Sequence, residues 1–332
     1  MKPFLAALAL LGLSAPAAAL KPQLSGLLDR QKMPDPAYAA VMGGWVVNVP
    51  WAELEPQPGQ IAPNNELDQA IAAARAWNRA HPSHPLFLKL RVVAGIESPD
   101  WVKARFGPPL AVTSPQSGAA GTVPRFWTPD FMAAYAKLHA QLAAKYDAVP
   151  ELREVVTAGC TSVYAEPLIR QGSDRAWIRD LLAAGYTDKL DEACQVAQID
   201  AARAWKGTRV SLSFNPYQRV SSAGKVTPDL AFTLRLMDEC RARLGPQCVL
   251  ANNSLRVAEQ GGDYPQMYAR MKALSAPLMF QTATLAKVGD LKGTLQKAVD
   301  LGAAAVELPA GYARTAPADL APFDTALRKN AK

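Results

Sequence analysis

The segment Trp45-Val46-Val47-Asn48-Val49-Pro50-Trp51-Ala52-Glu53-Leu54-Glu55-Pro56-Gln57-Pro58-Gly59, followed by Leu67-Asp68-Gln69-Ala70-Ile71, carries the first reading of the fold. Residues 45–50 form an apolar, β-branched run that suits a strand covered on both faces. Pro56, Pro58 and Gly59 stop that strand and force a turn. Asn64 or Asn65 can then cap a helix whose apolar positions are Leu67, Ile71 and Ala74. The unit is β-turn-α, with a tryptophan at the strand's carboxyl end. In a (β/α)8 barrel that end carries the active site.

The same rhythm recurs along the chain. Strand-like runs fall near 23–28, 45–51, 86–94, 154–160, 209–215, 248–252, 277–282 and 303–308. Helical periodicity occupies 67–80, 129–145, 189–205, 228–243, 264–274 and 291–301. Such alternation implies parallel strands joined by helical crossovers, and eight strands predict an α/β fold, a single (β/α)8 TIM barrel. An open doubly wound sheet is the alternative, but no Gly-x-Gly-x-x-Gly follows any strand. The connection 96–128 is long, and a long structured loop on that side often forms part of a binding cleft.

The chain has 332 residues. Lys2, the apolar run 4–13 and Ala17-Ala18-Ala19 have the composition of a secretory signal peptide over residues 1–19. The apolar run is too short to span a bilayer, and no other run is long enough. The expectation is one barrel domain over 20–332, secreted or periplasmic. Four cysteines in an exported chain suggest two disulfides. Of the three pairings, Cys160–Cys194 with Cys240–Cys248 closes the shortest loops. Free buried thiols are the other reading.

The formal charge is +7, but the basic residues are scattered, without the aromatic interleaving of single-strand binders. Nucleic acid is not an expected partner. There is no Cys-x-x-Cys, and the three histidines lie away from strand ends, so neither a metal nor a cofactor is expected. Oligomeric state has no signature here.

The strand ends gather amides, carboxylates and aromatics. Arg91 lies in the third strand and Tyr164 follows the fourth. Asn215 and Tyr217 follow the fifth, Asn252 and Asn253 the sixth, Gln281 the seventh, and Glu307 and Tyr312 the eighth. Asn and Gln can both donate to and accept from sugar hydroxyls. Aromatic faces, here also Trp51, Trp101 and Trp127, can cover the C–H face of a pyranose. A nucleotide site would call for a Gly-rich phosphate cradle, and an acyl-transfer site for a paired nucleophile and base; neither is apparent.

The segment from Trp51 to Asp68 resembles the W-x-x-L/I-E-P-x-x-G…L-D signature of clan-A glycoside hydrolases, notably the bacterial β-galactosidases. The resemblance is best over 45–101 and 125–167. It implies a general acid at the end of strand four, commonly in Asn-Glu-Pro. Tyr164-Ala165-Glu166-Pro167 occupies that place, with Ala165 where the family has its sugar-binding asparagine. The other reading of Glu166 is a structural carboxylate bonded to Arg91 or Arg170. The family's nucleophile Glu at the end of strand seven is replaced by Gln281, and an amide cannot form a glycosyl-enzyme.

Glu307 is the nearest replacement carboxylate. An acid–base pair Glu166/Glu307 would suit an inverting enzyme, in which ~6.5–9.5 Å leaves room for a water. Glu97 and Asp100 are outside candidates for the base. The expectation is a hydrolase acting on a poly- or oligosaccharide. A carbohydrate-binding barrel that lost its nucleophile and a barrel enzyme of another class, such as a lyase, are the alternatives.

Overall fold

The computed structural model describes residues 19–115 and 118–332. The expected leader therefore lies, except for Ala19, outside the described residues.

Eight parallel strands close a barrel in chain order. They are β1 (Gly26–Asp29), β2 (Gly44–Pro50), β3 (Phe87–Val93), β4 (Leu152–Val156), β5 (Arg209–Ser213), β6 (Cys248–Leu255), β7 (Leu278–Thr282) and β8 (Ala305–Leu308). β8 pairs with β1 from Gly26↔Ala305 to Asp29↔Leu308, which completes the circle. The fold is the (β/α)8 barrel that the alternation predicts.

The helices are set by local signals. Asn65 Oδ1 accepts from Asp68 N at 3.1 Å and starts the helix Glu66–Ala80, whose Leu67, Ile71 and Ala74 are buried. Asp229 Oδ1 accepts from Phe232 N at 2.9 Å at the head of Leu230–Leu244. Each cap satisfies a backbone donor that the first helical turn leaves free.

Three departures from the sequence reading affect the site. The chain leaves the sheet after Val156, so residues 157–160 belong to a loop. Two antiparallel hairpins decorate the strand-end face, Leu110–Thr113 with Ala120–Val123 and Tyr217–Val220 with Val226–Asp229. Two further helices, Arg175–Ala183 and Pro317–Asn330, had not been expected.

Both expected disulfides are present, Cys160–Cys194 and Cys240–Cys248. No helix among the described residues is long and apolar enough to cross a membrane.

Inside the barrel an apolar plug of Leu24, Leu28, Val249, Ala251, Met279 and Ala305 is joined by buried charges. Lys89 Nζ lies 2.8 Å from Glu154 and 3.1 Å from Glu307, and it also contacts Met279 Sδ. Arg91 Nη2 lies 2.7 Å from both oxygens of Glu307. Two cations meet two carboxylates, so the interior carries no formal excess of charge. That balance is what makes four buried ions tolerable.

Candidate functional site

Glu166 is half-buried, on the loop that leaves β4. Asn215, just past β5, donates from Nδ2 to Glu166 Oε1 at 3.2 Å. Asn215 is itself fixed, because its Oδ1 accepts from Asn252 Nδ2 and from the Tyr264 hydroxyl, each at 3.2 Å. Asn252 is anchored by donating to Phe214 O at 2.8 Å and accepting from the Tyr268 hydroxyl at 3.0 Å. A chain of amides thus runs from β6 through β5 to Glu166. Among the described residues, Glu166 Oε2 receives no protein hydrogen bond. Burial pushes the Glu166 carboxyl above the ordinary carboxylate range, opposed by the Asn215 hydrogen bond and the nearby charge of Arg91. Tyr164 stands close enough that Glu166, after burial, helps to raise its phenol.

The loop holding Glu166 is fastened to the helix Asp188–Ala201. Arg170 donates to both Asp191 oxygens, from Nε at 2.7 Å and from Nη2 at 2.6 Å, and all four atoms are buried. Gln195 Nε2 donates to Pro167 O at 2.8 Å, beside the catalytic candidate. The Cys160–Cys194 disulfide ties the start of the loop to the same helix. The helix therefore buries Asp191, Cys194, Gln195 and Gln198 on one face. That stripe is polar because it packs on loop backbone, whose carbonyls and amides need partners. Thr187 Oγ1 starts the helix by accepting from Leu190 N.

At the end of β3, Gly95 has φ +64°, and a Cβ there would lie 2.0 Å from Ser162 O. Only glycine lets these two loops touch.

The remaining predicted residues separate into groups. Asn253 and Gln281 are partly exposed at their strand ends, with Gln281 Nε2 3.4 Å from Asn253 O. Arg91 is buried. It holds Glu307 with Nη2, donates from Nη1 to Asn48 Oδ1 at 3.0 Å, and leaves Nε without a protein partner.

Glu307 does not lie in the cleft as a base. It is fully buried beneath it, as the counter-ion of Arg91 and Lys89. Burial alone would raise its carboxyl, but the two cations override that and hold it at about 2. A carboxylate so placed is a poor proton acceptor and has no solvent access. The structural reading of Glu166 loses its named partners: Arg170 is taken by Asp191 and Arg91 by Glu307 and Asn48.

The aromatic candidates are mostly core. Trp51 is fully buried, donates from Nε1 to Glu55 Oε2 at 2.9 Å and packs against Trp101, Phe131 and Tyr135. Trp127 is buried against Phe126 and Tyr186. The Tyr217 hydroxyl donates to Asp191 at 2.9 Å inside the Arg170 cluster. None of the three presents a face to a sugar. Trp101 is half-buried over the outer loops, with Nε1 donating to Glu55 O. Tyr312 donates to Asp29 Oδ2 at 2.9 Å beside a cavity of about 200 Å3 between the β1 and β8 ends. Asn252 is buried and acts on the site only through Asn215.

Asn48, Tyr264 and Arg30 belong to this region, and of these Tyr264 and Arg30 escaped selection from the sequence. Asn48 donates from Nδ2 to Arg30 O at 2.8 Å, and Arg30 donates to Leu308 O and Thr282 O, stitching β1, β2, β7 and β8 together at the strand ends. Asn48 had a legible signal, its place near the end of a strand. Tyr264 had none, since it reaches Asn215 from the helix Tyr264–Leu274 after β6. Among the described residues no three His, Cys, Asp or Glu side chains cluster as a metal site would require.

No family model matches the chain. No curated protein matches it either. Among solved structures, TcOYE with pHBA superposes at TM-score 0.52, 14% identity, over 92% of this chain and 92% of that one. A β-galactosidase from the psychrophilic Marinomonas ef1 matches at TM-score 0.47 and 14% identity over 85% of this chain. Endo-glycoceramidase II from Rhodococcus sp. matches at TM-score 0.46 and 13% identity, over 88% of this chain and 75% of that one. The chain spans 53% of the length of the Marinomonas β-galactosidase. What these likenesses share with the chain is the (β/α)8 fold.

Proposed function

We propose that this chain is an exported, carbohydrate-active barrel that binds a poly- or oligosaccharide at its strand ends and uses Glu166 to protonate a glycosidic oxygen. The observation that carries the reading is the state of Glu166: a half-buried carboxyl, raised by burial, held through one oxygen by Asn215 while the other has no protein partner. A glycosidic oxygen leaves poorly unless protonated, and a carboxylic acid whose proton is held more tightly by burial can supply that proton. Asn215 orients the acid. Asn253 and Gln281 are the amides free to bind sugar hydroxyls or an attacking water. Two disulfides support an oxidising compartment.

Among the described residues, neither Gln281 nor Glu307 supplies the second carboxylate of the usual pair: Gln281 is an amide and Glu307 is committed to Arg91 and Lys89, which leaves Glu97 and Asp100 as the candidates for a base. That observation favours a second reading, a barrel that recognises glycans without cleaving them.

A polysaccharide panel with product anomers followed by NMR separates the two. Under the first reading wild type releases sugar, and Glu166→Gln lowers kcat by about 10²–10⁴-fold, the usual contribution of a general acid, with binding retained. Binding without turnover by wild type establishes the second reading. Turnover that survives Glu166→Gln removes Glu166 from the chemistry.

A further inference from the structure

A groove of about 600 Å3 lies between the segment Gly172–Leu182 and the hairpin after β5. Both walls are strand-end loops of the elements that build the Glu166 site. One begins six residues after Glu166, and the other starts at Tyr217, two residues after Asn215. The loops are bonded to each other: Gln218 N donates to Leu168 O at 3.0 Å, Arg170 N donates to Gln218 Oε1 at 2.6 Å, and a Cβ on Gly172 would meet Val226 at 2.7 Å. The groove is thus held rigidly to the site.

Its chemistry is one-sided. The floor is apolar, from Ile178, Leu182 and Val226, and the charges lining it are Arg175, Arg179 and Lys225, with no carboxylate among the lining residues. Arg179 is bonded to the neighbouring Asp180 at 2.9 Å. Arg175 and Lys225 are exposed and have no acidic partner among the described residues. By contrast Arg219, on the same hairpin, meets Asp188, Glu192 and Asp229. Next to the groove wall, Gln171 holds φ at +51°, and both polar atoms of its side chain are enclosed without a protein partner. Strain and unmet polar atoms of this kind gather at ligand sites.

We infer that the Arg175–Arg179–Lys225 groove is an extended subsite for an acidic glycan, so that the polysaccharide engaged at the strand ends carries carboxylate or sulfate groups along its length. The inference rests on the carbohydrate reading of the Glu166 site and names its substrate class. Cations over an apolar floor suit alternating charged groups and pyranose C–H faces, and attraction between exposed charges weakens as salt rises.

The test is affinity electrophoresis of the full chain and of the double variant Arg175→Glu/Lys225→Glu. The gels contain polygalacturonate, dextran sulfate, a neutral β-glucan or polyglutamate. Both substitutions are at exposed side chains, so the variant is expected to keep the wild-type circular dichroism and melting temperature. The expected result is retardation by at least one acidic glycan, lost by about tenfold or more in the variant and on raising salt from roughly 0.05 to 0.5 M. The neutral glucan should not distinguish the two proteins, and the acidic glycan held more tightly identifies the charged group.

Equal retardation of variant and wild type by the acidic glycans overturns the inference. So does retention by polyglutamate as strong as by the glycans, which would make the groove a general polyanion surface. Cleavage of an acidic glycan that is unaltered in the variant overturns the groove while leaving the Glu166 reading intact. Acidic-glycan binding that depends on Arg175 and Lys225, without any turnover, keeps the groove and removes the acid role of Glu166.

Discussion

Replacing Glu307 by glutamine removes a negative charge that two buried cations share. Arg91 Nη2 sits 2.7 Å from Oε1 and Lys89 Nζ sits 3.1 Å from it. The cost can be reached by two routes. The carboxyl is held at about 2 against an ordinary 4.5. A displacement of that size corresponds to roughly 3 kcal/mol of preference for the ionised form in the folded state. Breaking a buried ion pair by removing one partner costs about 3–5 kcal/mol in general. In a chain of this length, about 2 °C is lost per kcal/mol, so Glu307→Gln should melt roughly 6–10 °C below wild type at pH 7. The pH dependence has a definite sign. A depressed carboxylate contributes fully above its unfolded value and loses that contribution as pH falls from about 4.5 towards about 2. The gap between variant and wild type should therefore narrow through that window. Differential scanning calorimetry from pH 7 to pH 3 measures both effects. An unchanged melting temperature together with a hundredfold loss of turnover would refute the reasoning and return Glu307 to the role of base.

Asn215→Ala withdraws a hydrogen bond that favours ionised Glu166. A general acid works while protonated, so the alkaline limb of the pH–rate profile should move to higher pH; a limb that stays put or moves down contradicts the contact. Asp191→Asn leaves Arg170 buried without its counter-ion, and urea unfolding should show a loss of about 3–5 kcal/mol. His139 is fully buried, with its pKa lowered by burial to about 4 from 6.5. The unfolded chain binds the extra proton first, so stability should fall as pH drops from about 6.5 to about 4, by an amount on the order of 3 kcal/mol. In His139→Gln that slope should flatten, as read from urea midpoints across the same range.

Part of the site could be read from the chain because its signals are local. Trp45–Pro50 is a strand and Glu66–Ala80 a helix for reasons contained within each stretch. The motif Tyr164-Ala165-Glu166-Pro167 is local in the same way. The helix expected over 189–205 is present as Asp188–Ala201, but its buried face is polar, so periodicity could not tell that this face packs on the Glu166 loop. Trp51, Trp127 and Tyr217 look alike in sequence whether they face a sugar or a core. Their burial depends on the neighbouring loops, which no single stretch specifies.

By itself the sequence determined the alternation of strands and helices, hence the closed parallel barrel, and it brought Glu166, Asn215 and Gln281 to the strand ends. Those features follow from residue periodicity and turn chemistry, which act over a few residues at a time. Only the tertiary structure decided which carboxylate stays partly exposed at the strand ends and which is spent on buried cations. Glu166 and Glu307 are both strand-end glutamates. One is opposed by an amide and the other by an arginine and a lysine, and those partners come from other strands (β5 for the first, β3 for the second). A carboxyl's charge state is set by what surrounds it in space.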